Sequence, residues 1–227
     1  MGVGVSKGKS QLHDVSDLAS HGIVGAYMND EAVANMMARR GSLDLQHLRE
    51  LACTTHFSYK EIEMMYAGFR KECRTGEFSK RQFINIYSRL HSAEDSEDYC
   101  AHMFRALDTS GNGSVDFDEF VSGLSCCCRG SLEEKLNFSF RLQDINRDGH
   151  VTKEEMIAVV CALCKVLDVK ILSGSSTVRE HVEKLFDILD TNRDGYVTID
   201  DFLAASRKKR RYSYDWVTTS LCCHVLL

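Results

Sequence analysis

Apolar side chains fall at helical spacing ahead of each of four polar, glycine-containing stretches. Ahead of residue 108 they are Cys100, Met103, Phe104 and Leu107; ahead of residue 190 they are Val182, Leu185, Phe186 and Leu189. Intervals of three and four residues put such side chains on one helical face, which then needs a core to cover it. The polar stretches share a frame. Their first residues, Lys71, Asp108, Asp144 and Asp190, follow one another at steps of 37, 36 and 46 residues. Gly76, Gly113, Gly149 and Gly195 hold the sixth position of each stretch, and Phe78, Val115, Val151 and Val197 hold the eighth. The pattern predicts a helix–loop–helix unit repeated four times. The chain has no proline, which suits long uninterrupted helices.

The third stretch, Asp144 to Glu155 (DINRDGHVTKEE), carries the chemistry most completely. Asp144, Asn146 and Asp148 offer short oxygen-bearing side chains from alternate positions of a tight turn. Gly149 permits the sharp bend, because a residue without Cβ adopts positive φ freely. His150 supplies only its backbone carbonyl, Thr152 acts directly or through a water, and Glu155 closes the shell with two oxygens. This is the ligand order of an EF-hand calcium loop, an oxygen cage for a hard divalent cation. A single EF-hand cannot bury its own apolar face, so four units imply two pairs. The expected fold is all-α, two EF-hand pairs, with two-residue β contacts joining paired loops at their eighth positions.

The four loops are not equal. The first, Lys71 to Gln82 (KECRTGEFSKRQ), has a cation at position 1, Cys73 at position 3 and an uncharged Gln82 at position 12. Without the two end carboxylates nothing offsets the dehydration of calcium, and this loop is expected not to bind. The second, Asp108 to Glu119 (DTSGNGSVDFDE), offers Asp108, Ser110, Asn112, Asp116 and Glu119, with the carbonyl of Ser114 at position 7. It departs from the strict pattern only at Ser110, whose hydroxyl is still an oxygen ligand. The fourth, Asp190 to Asp201 (DTNRDGYVTIDD), offers Asp190, Asn192, Asp194, the carbonyl of Tyr196, Thr198 and Asp201. Asp201 is one methylene shorter than glutamate, which points to a weaker calcium site or to Mg²⁺, which wants six ligands. Calcium is therefore expected in the second and third loops, with weaker calcium or Mg²⁺ binding in the fourth.

Composition narrows the function. Hydrophobic residues make up 44% and charged residues 27% of 227, an ordinary globular balance. The net charge of −5 argues against a nucleic-acid binder. Three bound calcium ions would reverse its sign, so metal loading changes what the surface attracts. No apolar run reaches the ~20 residues of a membrane-spanning helix, and no secretory signal opens the chain. The ten cysteines are then expected to be cytosolic free thiols. The Cys161-Ala-Leu-Cys164 pair has no second Cys/His pair at zinc spacing and is expected to sit in a helix core. Nor do the nine histidines form a catalytic constellation, so no enzyme is expected.

Four regions follow. Residues 1–42 form a variable extension. Its opening Met1-Gly2-Val3-Gly4-Val5-Ser6 fits the N-myristoylation pattern, with Gly2 as acceptor and Lys7 and Lys9 as a basic flank. One acyl chain gives reversible membrane binding. A short helix is expected over Glu31–Arg40. Residues 43–125 form the first EF-hand pair and 126–206 the second, with a Ser/Gly linker from Asp168 to Thr177. Within the second pair, the run Met156 to Leu167 is more apolar than a one-sided helix needs. It has two uses, interior packing or, with Met64, Met65, Phe83, Ile84 and Tyr87, the lining of an adaptable target groove. Residues 207–227 hold the cluster Arg207-Lys-Lys-Arg-Arg211, which fits a solvated helix end, a nuclear-localisation patch or an anionic-lipid contact. The tail beyond it carries Trp216 and the pair Cys222 and Cys223, with an apolar end able to fill the chain's own groove or be palmitoylated.

These features resemble the neuronal calcium sensor family, with its recoverin-, frequenin- and hippocalcin-like members, over about Leu43 to Arg207. The most specific resemblance is the disabled first hand. Tyr66-Ala-Gly-Phe69 precedes Lys71-Glu-Cys-Arg-Thr-Gly76, where Arg74 replaces the family's usual proline but Cys73 and Gly76 stand in place. Arg129 to Leu136, Asp144 to Gly149 and Thr152 to Met156 are also similar. Glu180-His-Val-Glu-Lys-Leu-Phe186 leans toward the potassium-channel-interacting branch. The resemblance implies two EF-hand pairs side by side, a concave groove for a channel or signalling enzyme, and often a calcium-released myristoyl group. The expected function is a calcium sensor that exposes an apolar groove and regulates a target at a membrane, in a cytoplasmic, reversibly membrane-associated protein. The alternative is a constitutive regulatory subunit of an ion channel, phosphatase or cyclase.

Overall fold

The loops dictate where the helices begin. In each hand, positions 9 and 12 form a reciprocal cap in which a short polar side chain meets the backbone three residues on, and the residue there reaches back. Ser79 and Gln82, Asp116 and Glu119, Thr152 and Glu155, and Thr198 and Asp201 all pair in this way. Side chains that satisfy the metal frame thus also satisfy the orphan amides of the exiting helix.

The structure is a computed structural model that describes residues 42–90, 97–166 and 178–208. Among these are nine helices and one short antiparallel sheet: α1 (Ser42–Thr54), α2 (Tyr59–Glu72), β1 (Glu77–Ser79), α3 (Lys80–Leu90), α4 (Glu97–Leu107), β2 (Ser114–Asp116), α5 (Phe117–Arg129), α6 (Leu132–Gln143), α7 (Lys153–Val166), α8 (Val178–Leu189) and α9 (Ile199–Lys208). The all-α architecture expected from the repeat is what forms. Hands one and two are α2–loop–α3 and α4–loop–α5; hands three and four are α6–loop–α7 and α8–loop–α9. Strands β1 and β2 pair Phe78 with Val115. Val151 and Val197 form an isolated bridge with both N–H···O bonds at 2.9 Å. All four eighth-position residues therefore meet their partners as expected. Helix α1 is additional to the eight that four hands require. It packs on α2, buries Leu48 and Leu51, and reaches α5 through His47 Nε2, 2.8 Å from Asp118 Oδ1.

One hydrophobic core runs through both pairs. Cys100, Met103, Phe104 and Leu107 of α4 are buried, as are Val182, Phe186 and Leu189 of α8, with Leu185 partly so. Helix α4 packs on α6 and α7, and α5 on α6, so the first pair leans on the second through its second hand. The boundary drawn at 125/126 falls inside α5, which continues to Arg129 because Cys127 is fully buried. Arg129 then clamps α2: its guanidinium bonds Glu61 and the His56 carbonyl and lies 4.8 Å from the Phe57 ring. That hydrogen-bonded pairing with Arg129 holds the Glu61 carboxyl down at about 2, against the opposing effect of burial. Cys161 and Cys164 pack partly buried on α7, and burial pushes the Cys164 thiol up to about 11. All eight described cysteines are free thiols. Gly2, the Glu31–Arg40 segment, the 168–177 linker, most of the basic cluster and the tail lie outside the described residues.

Where α4 and α5 cross, Gly123 admits Leu107. A Cβ at 123 would sit 2.1 Å from Leu107 Cδ2, and Leu107 is only 1% exposed. Helix propensity alone favours Ala over Gly by about 1 kcal/mol, whereas overpacking a filled core costs about 1–3 kcal/mol. Gly123→Ala is accordingly expected to lower the melting temperature by a few degrees, measured by thermal denaturation followed by circular dichroism. A rise would show that Leu107 has room to move.

Candidate metal centres

The second, third and fourth loops are each wound around their first residue. In the second loop, Asp108 Oδ1 accepts from the amides of Gly111 (2.8 Å) and Asn112 (3.1 Å), and Oδ2 accepts from Gly113 (3.1 Å). In the third, Asp144 accepts from Asp148 N at 3.2 Å and Gly149 N at 3.0 Å. In the fourth, Asp190 accepts from Asp194 and Gly195 at the same two distances. The three aspartates are 5, 7 and 8% exposed, so the turn holds its leading carboxylate at the mouth of the core. The sixth-position glycines adopt φ of +92, +82, +84 and +89° at 76, 113, 149 and 195, where a Cβ is strained.

The middle ligands turn inward together. Asp148 Oδ1 accepts from His150 N, its Oδ2 from Asn146 Nδ2, and Asn146 Oδ1 from Asp148 N, all within 3.0 Å. These hydrogen bonds, led by the His150 amide, hold the Asp148 carboxyl below its ordinary value. Asn192, Asp194 and Tyr196 repeat the arrangement in the fourth loop. In the second, Ser110 Oγ lies 3.4 Å from Asp108 Oδ1, and Asn112 Oδ1 accepts from Ser114. Asp116 is turned to cap α5 through the Glu119 amide.

Position 12 separates the loops. Glu119 Oε1 reaches back across the second loop to the Ser110 amide (2.8 Å) and the Thr109 hydroxyl (3.1 Å). Glu155 Oε1 does the same to the amides of Ile145 (3.1 Å) and Asn146 (3.3 Å), while its Oε2 takes the Thr152 amide and hydroxyl, each at 2.8 Å. Asp201 also takes Thr198 with one oxygen, but its other stops at the Thr191 hydroxyl (3.0 Å) and gains no amide from its loop's first half. Burial raises the Asp201 carboxyl, but the bonds from Thr198 and Thr191 outweigh it and leave it below its ordinary value. The missing methylene thus appears as missing reach.

The first loop is closed by other means. Cys73 is fully buried, and burial, with the nearby Glu72, pushes its thiol up to about 12. Gly76 N donates to Cys73 O at 3.2 Å, and Gln82 bonds Ser79 alone. A core thiol, a lysine at position 1 and an amide at position 12 give this loop no carboxylate at positions 1, 3 or 12. In the other three loops the carboxylate, amide and hydroxyl oxygens suit a hard divalent ion, although among the described residues no three acidic, His or Cys side chains already converge as a cluster. Two contacts lay beyond the ligand frame. Glu77 of β1 accepts a short hydrogen bond from Ser114 Oγ, and Arg147 of the third loop reaches into the second.

The groove candidates are interior. Met65 and Tyr87 are fully buried and Phe83 is 3% exposed, with Met64 and Ile84 partly covered. On α7, Met156, Ile157, Val159, Val160, Ala162 and Leu163 are all buried. The run from Met156 therefore packs the core in this conformation. The exposed large apolar side chains among the described residues are Leu132, Ile188 and Tyr196, from three separate elements.

Family comparison agrees with the geometry. Models of an EF-hand domain pair match residues 74–124 and 133–207. The first match begins only inside the degenerate first loop. Recoverin of Homo sapiens is 33% identical over 153 residues, spanning 66% of this chain and 76% of that protein. With its lost first loop, three oxygen-lined loops and two loop-to-loop pairings, the chain belongs to the neuronal calcium sensor family, calcium-binding EF-hand sensors rather than enzymes.

Proposed function

We propose that calcium entering the second and third loops is converted into exposed apolar surface that engages and regulates a target protein at a membrane. One observation carries this reading: the position-12 glutamates sit on the first turns of α5 and α7, whose opposite faces are core. Glu119 stands beside buried Phe120 and ahead of Val121 and Leu124; Glu155 stands beside Met156 and ahead of Val159, Val160 and Leu163. A carboxylate drawn toward an ion takes its helix with it, and the side chains uncovered are the apolar ones. The fourth loop, with its shorter Asp201, binds calcium more weakly or takes Mg²⁺.

The target is a protein segment with apolar anchors, from a channel or a signalling enzyme, bound where α7 and the α2 and α3 side chains now pack. Acylation at Gly2 supplies a reversible membrane anchor on a cytoplasmic protein. No described helix is long and apolar enough to cross a membrane. The test is fluorescence of an apolar-surface dye and co-sedimentation of acylated protein with liposomes, each with calcium and with chelator. Calcium is expected to raise dye emission several-fold, and Glu119→Gln with Glu155→Gln to abolish the rise. Gly2→Ala is expected to remove sedimentation only. Equal dye binding in calcium and chelator would count against a sensor and favour a constitutively bound subunit.

A further inference from the structure

We propose that Arg147, at position 4 of the third loop, sets the calcium affinity of the second loop. The proposal rests on the second loop binding a cation. Arg147 has a φ of +60°, and its side chain crosses from the third loop to the second. There Nη2 donates to the carbonyls of Arg105 (2.8 Å) and Asp108, and lies 3.7 Å from Asp108 Oδ2. The landing place is shaped for it. A Cβ at residue 111 would stand 2.7 Å from Arg147 Nη1, so the glycine at position 4 of the second loop leaves space for the guanidinium.

Two consequences have opposite signs. The carbonyls that Arg147 takes belong to the last turn and cap of α4, which have no partner within the helix, so the cation caps α4 and complements its dipole. That holds Asp108, the leading ligand, where the loop needs it. The same guanidinium is also a resident positive charge beside the carboxylate that must hold a dication, and like charges at such range oppose one another. Among the described residues Asp108 is the only carboxylate in ion-pair range of Arg147. The surrounding cleft of about 300 Å³ is lined by Arg105, Arg141, Asp108 and Asp144, and Arg105 donates to the Leu142 carbonyl rather than to an acid. Repulsion outweighs positioning for affinity, because Asp108 already accepts three loop amides that fix it without Arg147.

The amides of Gly113 and Gly149 donate to Asp108 and Asp144, so each reports its own loop in a calcium titration followed by NMR. Arg147→Gln, which keeps a donor and loses the charge, is expected to lower the calcium midpoint at Gly113 about tenfold and leave that at Gly149 within twofold. Arg147→Lys, which keeps the charge, is expected to leave both within twofold of the native protein. In chelator, Arg147→Gln is expected to melt a few degrees lower through loss of the α4 cap. An unchanged or raised Gly113 midpoint in Arg147→Gln overturns the proposal, as does a shift confined to Gly149 or an equal shift in Arg147→Lys. If Gly113 of the native protein does not respond to calcium, the second loop is not a site and both readings fall together.

Discussion

Glu155→Gln is expected to weaken calcium binding at the third loop by at least about a hundredfold, whereas Asp201→Asn weakens the fourth only about tenfold. The substitution is clean. Gln82 shows, in the first loop, that glutamine at position 12 keeps the cap on the exiting helix, bonding the Ser79 amide at 2.9 Å. Glu155→Gln therefore retains the start of α7 and removes the charge, one ligand oxygen and the bonds that oxygen accepts from Ile145 and Asn146. A hundredfold loss corresponds to about 2.7 kcal/mol. Asp201 has less to lose, since it gains no amide from the first half of its loop. Per-loop midpoints from the Gly149 and Gly195 amides give the comparison directly; equal losses at the two loops would remove the distinction drawn between them.

Asp201→Glu is expected to do the converse, tightening calcium at the fourth loop about tenfold while leaving Mg²⁺ affinity nearly unchanged. Calcium accepts a seventh oxygen from a bidentate glutamate, but Mg²⁺ holds near-ideal octahedral geometry and gains little from it. The methylene restores the reach that lets Glu155 span its loop to Asn146 N. Competition titrations of the two ions monitored at Gly195 read both affinities. If calcium does not tighten, the loop is limited by something other than side-chain length.

The frame of the loops was legible because it is local. Position-1 acids, sixth-position glycines and eighth-position β residues each act over a few neighbours, and all landed where their spacing placed them. The caps were equally legible as Ser79-x-x-Gln82 or Thr152-x-x-Glu155, but the same residues were already accounted for as ligands. What spacing cannot supply is orientation between units. Arg147 sits at a position with no ligand duty, and only the docking of α4 against α6 and α7 brings it to Asp108. Glu77 likewise belongs to the degenerate first loop and matters through its contact with Ser114 on the paired strand. Helix α1 lies ahead of the first loop's own helix, where the repeat does not require it, and is held by buried Leu48 and Leu51. The run from Met156 to Leu167 is apolar for interior packing as well as for any later exposure, and composition alone does not separate a core from a groove that is closed.

Pairing a loop expected to bind no cation with one expected to bind calcium predicts different thermodynamic characters for the two halves. Strand β1 is anchored in the core by Phe78, with Cys73 buried ahead of it. It is a rigid template on which Ser114, Val115 and Asp116 are already laid out across three residue pairs. Ordering a free residue's backbone costs about 1–2 kcal/mol, so the second loop meets its ion with much of that entropy already removed. The third and fourth loops share one bridge, Val151 to Val197, and both of its residues belong to loops lined with ligand oxygens. Each is the other's template. Preorganisation is expected to make the second loop's response graded and self-sufficient, and mutual templating to make the second pair cooperative, so per-loop titration should show two shapes of calcium dose–response.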